Sequence, residues 1–164
     1  MMTSRLLFIL VCGLMAAWGQ FKPRAAPEQP IPFSHRQHSA SGIKCLDCHL
    51  IKPPGDLAGL PGESSCLGCH ATIKKDSPAI QKLAEAARLR QPTPWVRVYR
   101  LPKTVYFSHE VHYRKAGADC AVCHGPVSER EVIGQEKSIA MTDCMSCHDR
   151  YKASNDCNLC HDSF

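Results

Sequence analysis

Cys45-Leu46-Asp47-Cys48-His49 is the stretch that decides the fold, because its spacing returns four more times. The other copies are Cys66-Leu67-Gly68-Cys69-His70, Cys120-Ala121-Val122-Cys123-His124, Cys144-Met145-Ser146-Cys147-His148 and Cys157-Asn158-Leu159-Cys160-His161. They take every cysteine of the chain except Cys12. Ten cysteines first suggest a disulfide framework, but such a framework has no use for a His after each second Cys. A zinc site groups Cys and His in fours with recurring separations. Here the gaps between copies are irregular, and five half-sites do not pair off. A thioredoxin-like site uses one Cys pair on a strand–helix scaffold. Covalent haem attachment accounts for each position. Two thiols add to the two vinyl groups on one porphyrin edge, the two intervening residues span that edge, and the adjacent His turns under the ring to reach the iron. The expectation is five molecules of haem c on these ten cysteines, with His49, His70, His124, His148 and His161 as proximal iron ligands.

Four of the nine histidines remain. They fall in two copies of one motif, Phe33-Ser34-His35-Arg36-Gln37-His38 and Phe107-Ser108-His109-Glu110-Val111-His112, each a few residues before an attachment motif. Two His three apart on one helical turn can point at two different irons and lock two haems together. On these motifs the chain resembles the class III (cytochrome c3-type) multihaem cytochromes c and their shorter trihaem relatives, over about residues 33–75 and 105–161. The resemblance implies that His35 is the distal ligand of the haem on Cys45 and Cys48, and His38 that of a neighbour. It implies the same of His109 for the haem on Cys120 and Cys123, and of His112 for another neighbour. Five motifs against four distal His leave one haem whose sixth ligand must be another residue. Met141, three residues before Cys144, is the candidate; the alternatives are a Met packed on a porphyrin face, an open sixth position, or Lys115 or Tyr113. Some pentahaem subunits of respiratory complexes such as alternative complex III look similar around this point. A His/Met haem would have a higher potential than bis-His haems.

The expected fold is mostly irregular and α-helical, with few short helices, minimal β, and two class III-like modules built around a haem core. Residues 1–19 read as a signal peptide: Arg5, an apolar run Leu6–Ala17 too short for the ~20 residues of a membrane span, and Ala17-Trp18-Gly19 as cleavage site. Cleavage discards Cys12; an uncleaved anchor is the alternative. Residues 20–32 are Pro-rich and read as an extended tether. A dihaem module follows at 33–75, a linker at 76–103 and a trihaem module at 104–164. In the linker, Ser77 caps a helix with Pro78 at its first position and an apolar stripe Ile80, Leu83, Ala84, Ala87 and Leu89. Pro92 and Pro94 end it. Trp95–Tyr99 then alternates like a short strand that could pair with Thr104–Phe107. So short a chain buries little conventional core, and the apo chain is expected to be largely unfolded.

The formal charge of +5 misleads about partners. Haem propionates bring the mature oxidised protein to about −1 and the reduced one to about −6. No basic run with interleaved aromatics points to nucleic acid. The reading is an exported, periplasmic electron-transfer protein in a respiratory chain, not an enzyme. Its partners would be redox proteins, among them a membrane quinol-oxidising or reductase complex. The rival is a small multihaem reductase working at one open haem. Such enzymes typically mark the active haem with Lys in place of the motif His, and all five motifs here end in His.

Overall fold

In the computed structural model of the chain, residues 21–161 are described; the signal-peptide reading lies outside them. Among the described residues, seven short α-helices carry the architecture: α1 (His35–Ala40), α2 (Cys45–Cys48), α3 (Glu63–His70), α4 (Pro78–Leu89), α5 (Cys120–His124), α6 (Met141–Tyr151) and α7 (Cys157–Cys160). A wide π-helical turn, Glu110–Lys115, and a 3-10 turn, Val127–Glu129, complete the set. No β-strand forms among the described residues. Three isolated bridges, Arg24–Gln135, Ile51–Ala58 and Val105–His161, are the only β-type pairings there. The mostly irregular, short-helix class read from the sequence is what the chain adopts.

The longest helix forms for the reasons its sequence offers. Ser77 Oγ accepts the Ile80 N–H at 3.3 Å, Pro78 sits where no N–H is needed, and Arg90 closes the helix in the left-handed region at φ 54°. Leu83 is its buried anchor, 4% exposed. The buried face differs from the expected stripe: Ala79, Ile80, Leu83, Ala86 and Ala87 turn inward, whereas Ala84 and Leu89 are exposed. Glu63, in the first turn of α3, reaches across to accept the Thr93 N–H at 2.6 Å and fixes the chain just beyond α4.

Two sequence expectations are corrected. Trp95–Tyr99 does not pair with Thr104–Phe107. The Val96 N–H and C=O are both taken by the Gln29 side chain, at 3.0 and 2.9 Å, and the Tyr106 N–H goes instead to Cys160 O at 2.7 Å. Pro94 and Pro102 remove ladder donors on either side. The stretch 21–32 is extended but does not hang free. Arg24 N donates to Gln135 O at 3.0 Å, Lys82 Nζ donates to Pro30 O at 2.8 Å, and Ile31 is buried. It straps the outside of the fold, running past α4 at one end and the Gln135 segment at the other.

The apolar interior is small. Ile31, Ile51 and Leu83 are the buried aliphatic residues of the described chain, while Leu50, beside the first attachment motif, and Val122 and Leu159, within two others, face outward. A chain with so little buried apolar area depends on other ties for its stability. Some are contacts between its two halves. Arg36 of α1 gives its N–H to Arg130 O at 3.0 Å and its guanidinium to Glu131 at 2.6 Å. In return, Glu110 N donates to Gly55 O at 3.0 Å, and Arg114 Nη2 donates to Ile51 O at 3.4 Å. Gly55, at φ 100°, has no room for a side chain, because a Cβ would strike Glu110.

Candidate functional site: histidine pairs beside the attachment motifs

Each Cys-x-x-Cys segment is helical, as a turn of its own in α2, α5 and α7 and as part of a longer helix in α3 and α6, so its two thiols stand on one side with the His close behind. Asp119 Oδ1 caps α5 by accepting the Ala121 N–H at 2.8 Å, and Asp47 Oδ2 accepts the Lys44 N–H at 2.8 Å across α2. No two of the ten motif cysteines are joined by a disulfide. Among the described residues, no three side chains of His, Cys, Asp or Glu gather to hold a bare metal ion.

The two Phe-Ser-His-x-x-His stretches give each residue the same task. Phe33 stacks on His38 with centroids 4.4 Å apart and meets His35 edge-on at 4.7 Å; Phe107 does the same to His112 and His109 at 4.3 and 4.8 Å. Ser34 O accepts the Nδ1–H of His38 at 2.7 Å, and Ser108 O that of His112 at 2.8 Å. The serine hydroxyls accept from Gln37 N (3.1 Å) and Val111 N (3.2 Å), holding the turn that sets the two rings one above the other. The backbones differ: the first copy is α-helical, while in the second the Ala116 N–H reaches back five residues to Val111 O. The wide turn was not legible in the motif.

The distal-type rings face rings of the attachment motifs. His35 lies parallel to His49 (6.3 Å, 5°) and His109 to His124 (6.4 Å, 7°). His38 faces His70 at 6.1 Å with planes 62° apart, and His112 faces His148 at 6.1 Å and 28°. With metal–nitrogen bonds of roughly 2 Å, two imidazoles on opposite sides of one metal ion have centroids about 6 Å apart.

The ring tautomers suit such a task. Seven rings give Nδ1–H to a backbone carbonyl, which leaves Nε2 as the lone-pair nitrogen. Besides His38 and His112, these are His49 to Gly59 O (2.7 Å), His70 to Ile73 O (2.9 Å), His109 to Asp56 O (2.8 Å), His148 to Ser154 O (2.6 Å) and His161 to Thr104 O (3.1 Å). His35 Nδ1 is buried with no partner among the described residues. Burial, then the neighbouring His49 and His38, push the His35 pKa down to about 4, and burial with His109 and His49 lowers that of His124. Both rings are therefore neutral near pH 7, the form that can donate a lone pair.

Burial, joined by neighbouring thiols, raises several cysteine pKa values. Cys66 lies near Cys48, Cys120 is hydrogen-bonded to Cys45, Cys123 lies near Cys147, and Cys144 is flanked by Cys123 and Cys160. Met141 stands at the first position of α6, 62% exposed and one turn before Cys144. Tyr99, which no motif announced, packs edge-on against His124 at 4.6 Å. Its hydroxyl accepts from Glu136 N (3.1 Å) and Lys137 N (3.2 Å) and donates to His124 O at 3.4 Å.

The donor set suits haem c: paired thiols on helical segments, and four pairs of imidazoles facing one another at the spacing of two axial ligands. Comparison with known proteins points the same way. A family profile described as cytochrome c7 and related cytochrome c matches residues 105–162. The menaquinone reductase multiheme cytochrome c subunit of Nitratidesulfovibrio vulgaris (strain Hildenborough) is 34% identical over 127 residues, which cover 75% of this chain. The match spans 59% of that relative's length. By its motifs, its fold and these relationships, the chain belongs to the class III, cytochrome c3-type multihaem cytochromes c, which carry covalent haem c and transfer electrons.

Proposed function

We propose that this chain is a periplasmic pentahaem electron-transfer subunit that passes electrons between redox partners by hopping among closely spaced, mostly bis-His haems. The single observation that carries the reading is the set of four imidazole pairs at 6.1–6.4 Å. In this reading Cys45/Cys48, Cys66/Cys69, Cys120/Cys123, Cys144/Cys147 and Cys157/Cys160 bind the haems, and His49, His70, His124, His148 and His161 are the proximal ligands. His35, His38, His109 and His112 are the distal ligands of the first four. Met141, at the first position of α6, is the sixth ligand of the remaining haem. The bound haems supply the one-electron redox chemistry.

The protein's part is to hold the imidazoles. Backbone carbonyls fix their tautomers and orientation, and filled axial positions keep small substrates from the metal. Residues 1–19 act as the export signal, with the dihaem (33–75) and trihaem (104–164) stretches as the working modules. No helix among the described residues is long and apolar enough to cross a membrane. Association with a membrane quinone-linked complex is in keeping with the reductase subunit to which the chain is similar.

The test is to express the chain with haem-attachment machinery, count haems by intact mass, and add carbon monoxide to the fully reduced protein. Five haems and no CO uptake support the reading, and Met141→Ala should then create one CO-binding haem. Uptake of one CO by the unaltered protein would instead favour a reductase site.

A further inference from the structure

The haem-ligand reading assigns five attachment sites but leaves their spatial order open. Numbered by sequence, the sites run from the first motif (Cys45–His49) to the fifth (Cys157–His161). We infer that they lie in a single file ordered second, first, third, fourth, fifth, so that the Cys66–His70 and Cys157–His161 sites are the two ends where partners exchange electrons. This rests on the haem-ligand reading of the preceding section.

Four links build the file. The second and first sites are tied through α1, whose one turn presents His38 to His70 and His35 to His49; the thiols of Cys66 and Cys48 also stand near each other. The first and third sites are tied through one loop: Gly59 O holds His49 at 2.7 Å, and Asp56 O, three residues earlier, holds His109 of the third site at 2.8 Å. The Cys45 and Cys120 thiols meet, and His49 lies within electrostatic reach of His124. The third and fourth sites share the turn that carries His109 and His112, and Cys123 neighbours Cys147.

The fourth and fifth sites are joined at Ser154–Asp156. Ser154 O holds His148 at 2.6 Å, and the Asn155 amide donates to Met145 O at 3.3 Å and to Asp149 at 2.6 Å. Asp156 then stands at the N-cap position of α7, and Cys160 lies beside Cys144. The chain thus doubles back once: the second site is sequence-adjacent to the linker helix α4, yet the connection to the third site passes through the first.

Proton NMR of the fully reduced five-haem protein tests the order without any substitution. Each haem is assigned by contacts between its thioether groups and the residues inside its own motif, such as Leu46, Leu67 and Val122. Cross-peaks between haem substituents are expected for second–first, first–third, third–fourth and fourth–fifth neighbours only. A contact of the second haem with the third, fourth or fifth, or of the fifth with the first or third, overturns the order. Fewer than five haems by mass, or high-spin signals at the first four sites, would instead defeat the ligand reading itself. As a second readout, attachment-deficient Cys66→Ala/Cys69→Ala should lose only the cross-peaks to the first haem and leave the other three contacts intact. Loss of the first–third contact in that variant, with four haems retained, also counts against the file.

Discussion

Replacing His38 by Ala probes the structure most directly, because His38 stands at the junction of every argument about α1. The ring gives its Nδ1–H to Ser34 O at 2.7 Å, stacks on Phe33 at 4.4 Å, and faces His70 at 6.1 Å with planes 62° apart. Losing the hydrogen bond and the aromatic pair costs about 1–3 kcal/mol, apart from the lost iron bond. That is a large fraction of a small protein's stability, yet covalent attachment at Cys66 and Cys69 should retain the haem. His35→His49 geometry does not depend on the His38 ring, so one iron alone should change. The holoprotein of His38→Ala is therefore expected to keep its haem count and to bind one more equivalent of CO, when reduced, than the parent.

The ferric spectrum offers a second check. Axial planes far from parallel leave the iron d orbitals closest to degenerate, so the 62° pair should give the most anisotropic low-spin signal in electron paramagnetic resonance. That signal should vanish in the variant, and free imidazole should restore a low-spin iron. Unchanged CO uptake with the anisotropic signal still present would falsify the assignment of His38 to the haem beside His70.

Other predictions follow from single contacts. Tyr99→Phe keeps the ring against His124 but strips the acceptor from Glu136 N and Lys137 N. Chemical unfolding of the holoprotein should show a loss of about 1–3 kcal/mol with the ferric spectrum unchanged, and a spectral change without a stability loss would contradict the role given to the hydroxyl. Leu83→Ala should destabilise by about 2–5 kcal/mol, because Leu83 is the buried anchor of α4; a loss under about 1 kcal/mol would show that α4 is dispensable. Hydrogen bonds from Thr93 hold the Glu63 carboxyl below its ordinary value of 4.5. Its contribution to stability is thus fully present above that value and is lost as pH falls through the lower, folded one. Glu63→Gln should flatten acid unfolding in that window, and an unaltered acid limb would rule the Glu63–Thr93 contact out as a source of it.

Much of the site was legible because it is local. A Cys-x-x-Cys-His segment specifies one helical turn, and one turn fixes where two thiols and an imidazole can stand. The Phe-Ser-His-x-x-His motif is similar: the Ser cap, the Phe stack and the carbonyl that orients the second His all lie within six residues. The α4 helix was readable from Ser77, Pro78 and the period of its apolar positions, although Ala84 and Leu89 fell on the wrong side. Trp95–Tyr99 misled for a physical reason. Its alternation is real, but Gln29, a residue 67 positions from Val96, satisfies the backbone groups that a partner strand would have used.

By itself the sequence determined the chemistry: ten thiols in five Cys-x-x-Cys-His motifs, a His at the end of each, and two copies of a turn bearing paired imidazoles. These follow from covalent spacing, which no long-range contact can alter. Only the tertiary structure decided which ring faces which, that residues 21–32 strap the fold rather than trail from it, and that Gly55 and Asp56 seat the second imidazole turn against the first half. It also brought the Cys45 thiol to that of Cys120. Those outcomes depend on carbonyls such as Gly59 O, Asp56 O and Thr104 O, which every residue possesses and no motif marks; only the folded path of the chain selects which of them a given histidine finds.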